Sequence, residues 1–147
     1  MLDQLVVQQS YEIREALEGL SARLAAINSS QSNVDDLIDI NGKFKNTVDD
    51  KAVEVALELD IAFHYKISAM SNNKKLQELI KNYFFTNLFS NTGASNIFIE
   101  KGDRTYNGHQ AIIHAIGNHD SIQAEKIMQD QIRQGVNMVL SVLYERQ

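Results

Sequence analysis

Not one of the 147 residues is proline, and only seven are glycine. A chain with so few breakers can stay helical for most of its length, because little removes a backbone hydrogen bond or loosens the backbone into turns. The apolar residues agree, recurring at three- and four-residue spacing nearly throughout. The first predicted helix runs from about Leu2 to Asn28, with Ile13, Leu17, Leu20 and Leu24 as its stripe. After the turn SSQSN, a second spans about Val34 to Phe44. A break over Asn46 to Asp50 offers Thr47 or Asp49 as an N-cap. The third spans about Lys51 to Met70, and Asn73 caps a fourth, KKLQELIKNYFFTNLFS. The least regular stretch is NTGASNIFIEKGDRTYNG, where Ile97, Phe98 and Ile99 can extend a helix. A fifth helix starts near Asn107 or Gly108 and stops at Gly117-Asn118. Asp120 or Ser121 caps the last, which runs to about Glu145. Six or seven helices on short turns predict an all-α antiparallel bundle, a single domain over residues 1–147.

Charge narrows the partners. The formal net charge is −5, and the nearest thing to a basic cluster is the pair Lys74-Lys75. Nucleic-acid binding needs a basic footprint to displace counterions, so this chain alone is a poor grip for DNA. Cysteine is absent, which excludes disulfides, thiolate metal sites and a cysteine nucleophile. It fits a reducing, cytoplasmic setting. No apolar run of membrane-spanning length occurs, and MLDQLVVQQS has no basic region followed by an apolar core.

Polar residues on apolar stripes are the informative anomalies. On the third helix, positions 53, 56, 57, 60, 64, 67 and 71 share a face. Asp60 and His64 therefore interrupt a stripe that should be buried, four residues apart and so adjacent. A buried carboxylate is costly unless paired or bound to a metal. Histidine is the commonest metal ligand, and aspartate adds a hard oxygen. His109 lies in line with Ile112, Ile113 and Ile116, Gln131 with Ala124, Met128, Gly135 and Met138, and Arg14 with Val7, Ser10, Leu17 and Ser21. Four helices thus direct a polar group toward one interior.

Each feature also has a structural explanation. Asp60 and His64 can form a plain ion pair. His109 can be a satisfied helix-start histidine, Gln131 a core amide bonded to backbone, and Arg14 a salt-bridge partner of Glu18. His114 and His119 read as solvated or turn residues. Tyr83, Phe84, Phe85 and Phe89 read as core or dimer contact.

Three blocks, in order, resemble one family. YEIREALEGLSARLAA (Tyr11 to Ala26) is similar to R-x-x-L-E-x-x-A-A-x-x-A-A. DIAFHYKISAMSNNKKL (Asp60 to Leu76) is similar to D-x-x-F-H-x-x-I-x-x-x-S-x-N-x-x-L. GHQAIIHAIGNHDSIQAEKIMQDQI (Gly108 to Ile132) is similar to E-H-x-x-I-x-x-A-I-x-x-x-D-x-x-x-A-x-x-x-M-x-x-H-I. Together they resemble the FCD type of effector-binding domain found in GntR-family transcription regulators. The resemblance implies a helical bundle enclosing a central ligand pocket. It implies a homodimer whose ligand state controls attached winged-helix domains, through which alone DNA is bound. It also implies, in many members, a divalent metal held by one aspartate and three histidines that helps bind a carboxylate effector. Asp60, His64 and His109 match the first three positions, and Gln131 stands where the third histidine belongs. Zinc, nickel, manganese or iron are the candidate ions, with Gln131 the doubtful ligand. Arg14 is the expected partner of a small carboxylic acid, with His64, His109 and Gln131 as further contacts. The first family helix starts almost at once, so the expectation is a chain without a winged helix. The expected function is ligand sensing, not catalysis. The alternatives are a helical interaction or dimerisation module without ligand, and a metal-dependent enzyme using Asp60, His64 and His109 to activate water.

Overall fold

A computed structural model describes residues 3–83 and 95–144. Those residues form seven helices and no strand. They are α1 (Gln4–Asn28), α2 (Gln31–Asp49), α3 (Val53–Met70), α4 (Lys74–Lys81), α5 (Ser95–Glu100), α6 (Gly102–Gly117) and α7 (Ser121–Leu143). The fold is the expected all-α bundle. No helix among the described residues is long and apolar enough to cross a membrane.

Local chemistry explains where the helices begin. Asp3 accepts from Leu5 N at α1, Asn73 from Leu76 N at α4, and Asp120 from Gln123 N at α7. Ser30 and Asn33 cap α2 reciprocally, so that helix starts three residues before the expected Val34. It also continues past Phe44. Thr47 does not cap the next helix; its hydroxyl donates back to the Phe44 carbonyl. Asp49 pairs with Lys45 one turn earlier. The break falls at 50–52 instead, and Ala52 leads into α3 without a side-chain cap. Lys51, Asn72 and His119 take left-handed backbone at φ 55°, 56° and 57°. Those turns follow α2, α3 and α6, so Gly117 remains helical while His119 reverses the chain. The start of α6 lies at Gly102, five residues before Asn107. Phe84, Phe85 and Phe89 lie outside the described residues, and Tyr83 is half-buried.

The packing of α1 overturns one expectation. Its buried residues include Val7, Tyr11, Glu18, Gly19, Ala22, Ala25 and Ala26. The stripe through Ile13, Leu17, Leu20 and Leu24 points the other way, with Ile13 44% exposed and the three leucines partly exposed. The reason is close approach. The chief partner of α1 is α7, and a Cβ at Gly19 would come within 2.9 Å of Gln129 Cγ. Small side chains let these helices lie tightly together; leucines would hold them apart.

Among the described residues, two apolar clusters make up most of the core. The larger includes Leu37, Phe63, Ile67, Ile112, Ile116 and Met128. The smaller includes Phe44, Val48, Ala56, Leu57, Phe98 and Met138. His109 joins them, stacked on Phe63 at 3.9 Å between ring centroids and tilted against Phe44 at 5.2 Å.

Candidate metal and effector site

Helix α3 presents Asp60 and His64 one turn apart, and α6 brings His109 against them. His109 Nε2 lies 3.0 Å from Asp60 Oδ1, and His64 Nε2 lies 3.6 Å from the same oxygen. Ligand atoms of the three residues all fall within 4.8 Å of one another. His109 is 0% exposed, His64 3% and Asp60 19%, so the carboxylate is the open side of the cluster.

Each imidazole has a second partner on its far nitrogen. His109 Nδ1 lies 2.9 Å from Asn41 Oδ1. The Asn41 amide is oriented by its own Nδ2, which donates to the Tyr106 carbonyl at 3.3 Å. His64 Nδ1 lies 2.5 Å from Glu18 Oε1. Glu18, 1% exposed, uses its other oxygen to accept from Arg14 Nε. Residues of this outer layer orient the ring nitrogens that face the centre.

The charges are strongly coupled. Burial pushes the Asp60 carboxyl up, but the imidazoles of His109 and His64 beside it hold it well below the usual range. Burial pushes His64 down, yet Glu18 and Asp60 overcome it and raise the ring to about 9. Burial also lowers His109, and Asp60 only partly offsets that. For Glu18, burial raises the carboxyl, but Arg14 and His64 bring it below its ordinary value.

Three donors in a buried cluster are the chemistry of a divalent-metal site, and the surrounding atoms fit one. Asn41 Oδ1 can only accept, so His109 Nδ1 carries the proton. Nε2 of a neutral ring then turns a lone pair toward the Asp60 oxygen 3.0 Å away. A cation shared by the two removes that repulsion. A second proton on the ring is opposed by burial. His64 likewise sets Nδ1 toward Glu18 and Nε2 toward Asp60, but between two carboxylates it keeps a second proton, which a metal would displace.

A cavity of about 50 Å³ opens on this cluster, lined by Tyr11, Arg14, Asp60, His64 and Gln131 among others. It has room for a few water molecules, or for a short ligand. Arg14, 11% exposed, also lies over the Tyr11 ring at 5.2 Å. His109 does not line the cavity and meets the cluster from behind, through Asp60. His114 and His119 are exposed and lie apart from it; His114 Nε2 faces Asn118, and His119 Nδ1 faces the Ala26 carbonyl at 2.8 Å.

Sequence reasoning missed Glu18 and Asn41 as members of the site. Glu18 had a signal: it falls in line with Val7, Tyr11, Ala22 and Ala25, the face α1 buries. Asn41 interrupts the buried series Val34, Leu37, Phe44 and Val48 in the same way.

No curated protein matches the chain. Residues 9–134 match the FCD domain, a span that holds Arg14, Glu18, Asn41, Asp60, His64, His109 and Gln131. The chain belongs to the FCD family, the effector-binding C-terminal domains of GntR-family regulators.

Proposed function

We propose that this domain senses a short organic acid through a divalent metal and passes its occupancy to an attached DNA-binding domain. The observation that carries the reading is the clustering of Asp60, His64 and His109, each ring oriented by an outer partner, beside a cavity that Asp60, His64 and Arg14 line. In this reading Asp60, His64 and His109 would hold the metal. When bound, the metal supplies a Lewis-acid anchor for a carboxylate oxygen. Zinc, nickel, manganese and iron all suit such a nitrogen and oxygen set.

The formal charges favour an anion. Two carboxylates, Glu18 and Asp60, face one guanidinium and one divalent ion, while both imidazoles are neutral as ligands. A single positive charge is left over. A guanidinium forks onto carboxylates, which gives Arg14 the role of second anchor. The size of the cavity argues for an acid of few carbons.

Signalling follows from linkage. A ligand that prefers one arrangement of a homodimer shifts the population of DNA-competent protein. The outward stripe of α1, which runs through Val6, Ile13, Leu17, Leu20, Leu24 and Ile27, is the surface we assign to that dimer. The setting is cytoplasmic and the role is regulatory, not catalytic.

Elemental mass spectrometry of purified, untagged protein beside His64→Ala tests the reading. Near-stoichiometric metal in the wild type, lost in the variant, is the expected result. The metal should also raise Tm in the wild type only, because a ligand of the native state stabilises by mass action. Failure to take up any of the four ions on reconstitution, with no Tm shift, would refute it.

A further inference from the structure

Gln131 lines the same cavity as Arg14, Asp60 and His64. Its amide is held in one orientation. Nε2 donates to the Thr105 carbonyl at 3.4 Å, and the reverse orientation would set two oxygens against each other. Gly108 makes room for that placement, since a Cβ there would come within 2.7 Å of Gln131 Nε2. The consequence falls on Oε1. It is buried and receives no hydrogen bond from the described residues. Buried acceptors are normally satisfied, and leaving one unpaired is costly. An acceptor kept in this state beside a ligand cavity is matched by a ligand that brings a donor.

We propose that Gln131 is a specificity residue, whose Oε1 accepts a hydrogen bond from the hydroxyl of a short 2-hydroxy acid held by Arg14 and the metal. The inference rests on the metal-and-acid reading of the site given above. Three features select this class. The cavity is small, so the donor must sit close to the carboxylate. An ammonium donor would add positive charge next to Arg14 and a divalent ion, whereas a hydroxyl adds none. A 2-hydroxy acid can also meet a metal through a carboxylate oxygen and the hydroxyl oxygen together. That contact draws electrons from the O–H and strengthens its donation to Oε1. The matching 2-oxo acid has nearly the same shape and the same carboxylate, but offers only an acceptor at that carbon. Its oxygen would confront the Gln131 oxygen and leave both unpaired. A site built to bond a hydroxyl rejects the analogue that lacks it far better than an apolar pocket does.

Isothermal titration of the full chain loaded with zinc, using L-lactate, D-lactate and pyruvate as probes, tests this. The wild type should bind one lactate enantiomer roughly 10- to 100-fold more tightly than pyruvate, the range expected for one buried acceptor left unpaired. Gln131→Leu keeps the bulk and removes the acceptor, and should bring the ratio close to one with zinc content unchanged. Gln131→Met is the second variant, in case branching at leucine disturbs α7, and should do the same. Equal wild-type affinities would overturn the proposal, as would a lactate preference that survives in both variants. Zinc lost with the Gln131 side chain would overturn it too, by making that residue a metal ligand. If zinc-loaded wild type binds none of the three acids, the short-acid reading falls with it. Binding without discrimination sinks the role of Gln131 alone.

Discussion

Glu18→Gln keeps the side chain's shape and removes its charge, which isolates one electrostatic effect. Glu18 touches Arg14 through one oxygen and His64 through the other, at 1% exposure. The rise of His64 from 6.5 to about 9 corresponds to roughly 3 kcal/mol. It is what remains after burial has opposed the pull of Glu18 and Asp60, with the charge of Glu18 the largest favourable contribution. Arg14 also loses its carboxylate. Removing one partner of a buried pair costs roughly 3–5 kcal/mol, and the retained amide oxygen places this case near the lower end. The expected loss is about 3 kcal/mol in metal-free protein, a Tm lower by roughly 6–12 °C. Urea unfolding with a chelator present measures it, and an unchanged m-value would show that the two unfolded states are alike. The dependence on pH carries a further check. A raised histidine pKa stabilises fully below 6.5 and loses that contribution as pH rises through about 9. A lowered carboxyl stabilises above 4.5 and loses its contribution as the solution is acidified. The gap between wild type and variant should therefore be widest between these limits and shrink toward pH 9. It should not vanish there, because Arg14 stays charged. A gap under about 0.5 kcal/mol at pH 7 would refute the assigned coupling.

Asn41→Ala should weaken metal binding roughly 10- to 100-fold without touching a ligand, because Asn41 orients His109; competition with a metallochromic chelator reads this directly. Unchanged affinity would make Asn41 a packing residue only. Lys51→Gly should stabilise the fold by roughly 0.5–1 kcal/mol in chemical denaturation, since Lys51 is exposed and sits at φ 55°. A loss of stability there would contradict the assigned backbone. Asp120→Ala should cost about 1 kcal/mol by removing the cap on Gln123 N, and Asp120→Asn should restore most of it.

Much of the candidate site was legible because polar residues stood out on apolar stripes. Asp60 and His64 broke the face of α3, and His109 the face of α6; the structure brings all three together. Glu18 escaped notice because its neighbour Arg14 accounted for it, and an ion pair one turn long normally lies at the surface. The misreading of α1 has a related cause. Leucine spacing suggested the buried face, but the interior against α7 is built from alanine, glycine and serine, whose weak hydropathy carries little signal. The end of α2 was missed for a different reason: the chain reverses after it at Lys51, which is not glycine, whereas the helices before Asn72 and His119 end at Met70 and Gly117 as expected. Thr47 and Asp49, read as caps of the next helix, bond within their own instead.

The pairing of α1 with α7 has a consequence for synthesis on the ribosome. The first of the described helices finds its chief partner in the last. Until residues 121–143 have emerged, the alanine face of α1 has nothing equivalent to lie against. Contacts this distant along the chain are closed late, after the loop entropy between them has been overcome. Nascent chains should therefore hold α1 loosely docked until α7 has emerged, open to protease and chaperone alike. Shortening α7 should then leave a domain that never closes, although Asp60, His64 and His109 are all present.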